Sequence, residues 1–175
     1  MVQLLSVSDL DNPIEQYIPR LRRYALALTG ERSAADDLVQ DTLERALGRF
    51  HLWRQGSDLR AWLFTIMHNI YVNQARSRMR HPHEALENEP AAEVIHAREP
   101  DWLELRDLDG ALARLPDEQR AVLLLVGLEQ FSYGEASRIL DIPIGTVMSR
   151  LSRGRERLRA ILAGDPKVTL LKVVK

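Results

Sequence analysis

The chain has 175 residues, 45% hydrophobic and 28% charged, the make-up of a soluble globular protein with room for one ordinary domain or two small ones. Lys and Arg number 24 against 25 Asp and Glu, so the net charge of −1 names no partner and the distribution of charge carries the information. There is no cysteine, which excludes a disulfide framework and a thiolate zinc site; the start "MVQLLSVSDLDNP" lacks a signal-peptide pattern, and no apolar run approaches the ~20 residues of a membrane span, so we expect a cytoplasmic protein.

Helical signals recur along the chain and strand signals are almost absent. Asn12, Pro13 and Glu15 resemble an N-cap, a first-turn proline and a capping-box acid. Ile14, Tyr17, Ile18, Leu21, Tyr24, Ala25 and Leu28 then follow an amphipathic helical period that Gly30 ends. Ser33, with Asp36 three residues on, predicts a second start ahead of Leu38, Val39, Thr42, Leu43, Ala46, Leu47 and Phe50. Asp36, Asp37, Asp41 and Glu44, with Gln40 among them, give this helix an acidic face. Such a face is either ordinary solvated surface or a docking site for a basic protein partner, and it would repel DNA.

A third helix is predicted from Asp58 to about Met79, with Leu59, Leu63, Ile66 and Ile70 as its buried stripe. No acid lies between Leu59 and His83, and Asn69, Asn73, Arg76 and Arg80 share a narrow sector with Trp62, a pattern that can hydrogen-bond bases and phosphates. Trp62 reads as core. In the preceding "FHLWRQGS", Trp53 is either a packed loop anchor or a stacking surface for an unpaired base, with Arg54 beside it. Asn69 is a poor helix former, so it needs a specific partner, nucleic acid or backbone. His68, His81 and His83 have no carboxylate or cysteine to complete a metal site and read as solvated; we expect no metal and no cofactor.

From His81 to about Glu99 the chain is rich in Pro, Ala and Glu and reads as a flexible acidic linker. Leu105, Leu108, Leu112 and Leu115 then predict a helix stopping at Pro116, and "PDEQRAVLLLVGLEQ" starts another with acids at its positive end. "SYGE" is a capping box for a short helix, "DIP" a tight turn, and "IGTVMSRLSRGRERLR" a longer basic helix: the outline of a helix-turn-helix, which three-helix bundles also mimic. Val147, Leu151, Gly154, Leu158 and Leu162 fall on its packing side. Gly145, Ser149, Ser152 and Arg153 point the other way, with Met148 and Arg155 on one flank and Thr146 and Arg150 on the other. Small residues let a backbone approach a groove and arginine can fork onto guanine or grip phosphate, although a surface helix with scattered arginines would look similar.

Together these stretches resemble an extracytoplasmic-function sigma factor, the minimal bacterial sigma with regions 2 and 4 only. "ADDLVQDTLERAL" resembles region 2.2, "DLRAWLFTIMHNIYVNQARSRMR" regions 2.3 and 2.4, and "LARLPDEQRAVLLL" with "FSYGEASRILDIPIGTVMSRLSRGRERLR" region 4. The resemblance implies an all-α fold of two small helical domains: region 2 over 10–80, a linker over 81–103, region 4 over 104–164 and a tail over 165–175. It implies that Asp37, Leu38, Gln40, Asp41 and Glu44 dock on the coiled coil of the polymerase largest subunit, and that region 4 meets the flap. Trp53, Arg54, Asn69, Asn73, Arg76 and Arg80 would serve the −10 element. Thr146, Met148, Ser149, Arg150, Ser152, Arg153 and Arg155 would serve the −35 element. Met148 departs from the basic residue common at its position, and Ser152 from a frequent aromatic. The implied partners are core RNA polymerase, promoter DNA and an anti-sigma factor, which could hold the protein at the inner membrane without any insertion of its own. No catalytic constellation is present, so we expect no enzyme. Two other readings share these features: a sigma-like decoy that sequesters an anti-sigma factor, and a helix-turn-helix regulator, which leaves the acidic second helix unexplained.

Overall fold

The computed structural model describes residues 13–54, 56–80 and 102–164; among them every regular element is helical. The predicted cap at Asn12, residues 81–101 of the predicted linker with His81 and His83, and the tail lie outside the described residues, while Trp102 and Leu103, expected to end the linker, already belong to the next helix. A single 3₁₀ turn, Glu15–Tyr17, leads into α1 (Ile18–Thr29), whose Pro19 sits in the first turn where a missing N–H costs nothing. Gly30 ends α1 as predicted, in the left-handed region at φ 74°. Helix α2 (Arg32–Gly48) starts earlier than Ser33 would place it. The Glu31 carboxylate accepts from the Ser33 and Ala34 N–H groups, both at 2.8 Å, and so does the capping expected of the serine. Asp58 caps α3 (Leu59–Arg80), its Oδ1 accepting from Ala61 N at 3.1 Å.

The second group of helices begins with α4 (Trp102–Ala113) and α5 (Asp117–Leu123). Helix α5 runs on through one π-helical turn, Leu124–Leu128, which the sequence pattern did not reveal. Gln130 at φ 57° then turns the chain, so that Glu129 and Phe131 both point inward. The Ser132–Glu135 capping box opens α6 (Tyr133–Leu140); Glu135 Oε2 accepts from Ser132 N at 2.7 Å, and these Ser132 bonds hold its carboxyl below the usual range. Asp141, left-handed at φ 52°, and Pro143 make the turn into α7 (Ile144–Leu162).

Helix α7 buries Val147, Leu151, Gly154 and Ile161, while Leu162 is 51% exposed; the packing stripe drifts to Ile161 in the last turn. The predicted stripe of α3 is buried, but so are Phe64, Met67 and Tyr71. Helix α3 is covered on two sides, by α1 and α2 and by the second group of helices. One hydrophobic core therefore runs through both groups. Phe64 sits at the join, edge-on to Tyr24 at 5.1 Å and to Phe131 at 5.2 Å between centroids, and burial of such a ring is worth about 2–3 kcal/mol.

Polar contacts sew the same seam. Arg120 reaches back to the Leu28 carbonyl at 2.9 Å, placing a cation on the unsatisfied C-terminal end of α1, and also pairs with Asp117. Arg60 lies 3.9 Å over the Phe131 ring and donates to the Glu129 carbonyl at 3.3 Å. Arg23 reaches the fully buried Glu129 carboxylate.

Candidate polymerase and nucleic-acid surfaces

On α2, Asp37, Gln40, Asp41 and Glu44 are all exposed, whereas Leu38 is fully buried in the core. Helical spacing sets that division: Leu38 falls with Ala35, Val39, Thr42 and Ala46 on the inward side. The acidic face is organised. Gln40 donates to Glu44 at 3.0 Å, and Gln74 of α3 donates to Asp41 at 3.0 Å, which fixes one carboxylate and leaves Asp37 and Glu44 to solvent on their outer edges.

The loop before α3 is built on Phe50. Trp53 stacks on it at 5.4 Å with an interplanar angle of 23°, and Trp62 meets it edge-on at 6.4 Å. Trp53 is thus half-buried as a loop anchor, its indole Nε1 buried and without a hydrogen-bond partner among the described residues. Arg54 is exposed, and its carbonyl accepts from the Ser57 hydroxyl at 2.7 Å, shaping the turn. Asn69, Asn73, Arg76 and Arg80 all lie on the exposed side of α3, so the sector inferred from their spacing is real.

On α7, Met148, Ser152, Arg153 and Arg155 are exposed, and Thr146 and Ser149 half-buried, Ser149 Oγ donating to the Thr146 carbonyl at 3.1 Å. Arg150 is different. Its guanidinium pairs with Glu118 of α5 at 2.8 Å and its side chain is only 25% exposed.

Arg150 also lines a cleft of about 530 Å³ between the two groups of helices, whose walls include Asn69, Asn73, Arg76, Asp117 and His68. Residues inferred for two different DNA elements thus share one cavity, which no pattern in the sequence indicated. His68 is not solvated. Burial, and then the Arg150 charge, lower its pKa from 6.5 to about 4, so it is neutral here. Tyr71 nearby is pushed up by burial and by Asp117. Glu129 was not singled out by sequence reasoning; its signal was a lone acid ending the apolar run "AVLLLVGLEQF".

Among the described residues no group of three or more His, Cys, Asp or Glu could hold a metal ion, and no helix is long and apolar enough to cross a membrane. Residues 14–68 match the family model "Sigma2 domain of PhyR", and residues 105–158 match "Sigma-70, region 4". The ECF RNA polymerase sigma factor EcfG of Rhodopseudomonas palustris is 39% identical over 85% of this chain and 82% of that protein.

The chain belongs to the ECF RNA polymerase sigma factors. Among solved structures, the sigma factor RpoE in complex with the anti-sigma factor NepR, from Bartonella quintana, superposes at a TM-score of 0.76 with 38% identity, covering 87% of this sigma factor and 95% of RpoE. CnrH in complex with the cytosolic domain of CnrY follows at 0.63, with 26% identity over 87% and 86% of the two chains. Sigma factors direct promoter-specific initiation and leave the chemistry to the polymerase. The two family models fall on the two groups of helices, α1 to α3 and α4 to α7, that meet at Phe64 and Phe131.

Proposed function

We propose that this ECF sigma factor docks on core polymerase through the acidic face of α2 and reads promoter DNA with two modules: α3 and its preceding loop at the −10 element, and α7 at the −35 element. The observation that carries this assignment is that the acidic face of α2 and the arginine face of α7 are both exposed on different helices, so an anionic polymer and a basic protein surface can be held at once. We take 10–80 and 102–164 as the modules and 81–101 as the tether between them, since Trp102 and Leu103 already lie in α4. Localisation in the cytoplasm follows from that work, and similarity to RpoE in its complex with NepR supports control by an anti-sigma factor.

The packed arrangement cannot serve both elements together. Sites about 25 base pairs apart lie roughly 85 Å apart along the duplex at 3.4 Å per step. A folded chain of 175 residues has a radius of gyration of about 16 Å. Residues 81–101, fully extended at ~3.4 Å each, span up to about 70 Å, enough to let the modules part. Once polymerase fixes their spacing, each module binds at the high effective concentration set by the other.

Run-off transcription with bacterial core polymerase on a genomic promoter library tests the reading. Discrete new start sites are expected when the protein is added. The decoy reading draws on the match of residues 14–68 to the PhyR domain model. It is recovered instead if no transcript appears but the protein restores transcription by another sigma held by its anti-sigma factor.

A further inference from the structure

The leading turns of α7 carry no free charge. Ile144 and Met148, one turn apart, are 49% and 53% exposed, and Gly145 between them has open space where a side chain would be. Val147 is buried. The two hydroxyls of these turns belong to Thr146 and Ser149, both half-buried, and that of Ser149 is spent on the Thr146 carbonyl. The nearest cation, Arg150, is held by Glu118. Arg155 follows Met148 by seven residues, which at 100° per residue returns it to within about 20° of the same stripe and places it roughly 10 Å further along the axis. An exposed arginine there suits a phosphate at the groove edge, and seating it would bring the flank that carries Ile144 and Met148 against the bases.

The first two turns of the helix thus offer two apolar side chains and no unpaired arginine, and the donor fork of the helix, Arg153, comes a turn later. Among the features that base pairs display in the major groove, the one that rewards apolar contact is the thymine C5-methyl group. We infer that Met148, supported by Ile144, is a specificity-determining residue that selects thymine in the −35 element by packing on its methyl group. The inference rests on the assignment of α7 to promoter DNA.

The test uses the full chain with core polymerase on a promoter taken from the library transcription. Each thymine of the upstream element, on both strands, is replaced singly by deoxyuridine, which removes the methyl and keeps the pairing. At one or two positions transcription should fall about four-fold, the value of one buried methyl. Met148→Ala should lower transcription from the thymine template and abolish the difference between thymine and uracil at that position. Because Met148 is half exposed, the variant should still fold, which unchanged binding to core polymerase verifies. An upstream element without thymine, uracil tolerated everywhere, or a uracil effect that persists in Met148→Ala overturns the inference while the sigma assignment stands. Absence of transcription from every promoter overturns the assignment and the inference with it.

Discussion

Arg23 of α1 donates to the carboxylate of Glu129 at 2.8 Å, joining a half-exposed guanidinium to a carboxylate with no exposed surface of its own. Glu129 Oε2 has no hydrogen-bond partner among the described residues, so Arg23 carries the compensation for a buried charge. Breaking such a pair from one side strands the other partner, which costs more than the pair itself contributes. Arg23→Ala should therefore destabilise the chain by about 2 kcal/mol, less than the full penalty because Arg23 itself faces water. For a chain of this size that corresponds to a fall of roughly 5 °C in the melting midpoint. A midpoint within a degree of the parent would show that the pair is replaceable by solvent.

His68 gives the seam a pH dependence whose sign follows from its neutral form. Burial and the Arg150 charge lower its pKa to about 4, whereas the unfolded chain takes up the proton near 6.5. The unfolded state thus binds more protons between those values, and stability is lost as pH falls from about 6.5 toward 4. Since the side chain is partly open to the cleft, the loss by pH 5 should be roughly 1 kcal/mol rather than the roughly 2 kcal/mol that the full slope of about 1.4 kcal/mol per pH unit would give. His68→Gln should flatten the slope of melting midpoint against pH in that window. An identical slope in the variant would assign it to the carboxylates.

Much of the fold was legible because each helix is written locally. Gly30, Asp58 and the Ser132–Glu135 box end or start helices through their own backbone and side-chain chemistry, and the stripes of α1 and α3 follow the helical period. What escaped was set by distant chain. Phe64, Met67 and Tyr71 widen the buried surface of α3 only because the second module lies against it, and His68 is shielded for the same reason. The π-helical turn that brings Glu129 inward depends on packing that no short window contains. Among site residues, solvent exposure of Asp37, Asn73 and Arg153 follows from period alone. The engagement of Arg150 by Glu118 requires α5 and α7 to cross, and the stacking of Trp53 on Phe50 requires a loop geometry that composition does not specify.

Gly154 marks that crossing. A Cβ built there would stand 3.4 Å from the Cβ and carbonyl oxygen of Gln119 and 3.5 Å from Leu123 Cδ1, at the near limit of ordinary contact. Gly154→Ala should be close to neutral, the ~1 kcal/mol gained in helix propensity offsetting a tight fit. Gly154→Val adds two further methyl groups to that tight contact and should cost about 2 kcal/mol or more. Chemical denaturation of both variants checks this, and a valine variant as stable as the parent would mean that α5 and α7 separate easily.

The division of labour between the two modules predicts that promoter and polymerase defects can be separated. Arg153 is exposed on α7, makes no ion pair with Glu118 as Arg150 does, and sits where a guanidinium can reach a base edge or phosphate. Arg153→Ala should reduce promoter-dependent transcription about ten-fold, the worth of one lost charged contact of ~1.4 kcal/mol, while core binding is unchanged. Reversal of Asp37 and Asp41 to lysine should do the opposite: weaker capture of core polymerase, with the folded state retained because both carboxylates lie outside the core. Asp41 also accepts from Gln74, so Asp41→Lys alone should show a small loss of stability that Asp37→Lys lacks. Core binding measured by co-elution and transcription measured on the selected promoter give two axes. Equal loss on both by Arg153→Ala would remove α7 from the DNA-reading role, and intact core binding in the double reversal would remove α2 from docking.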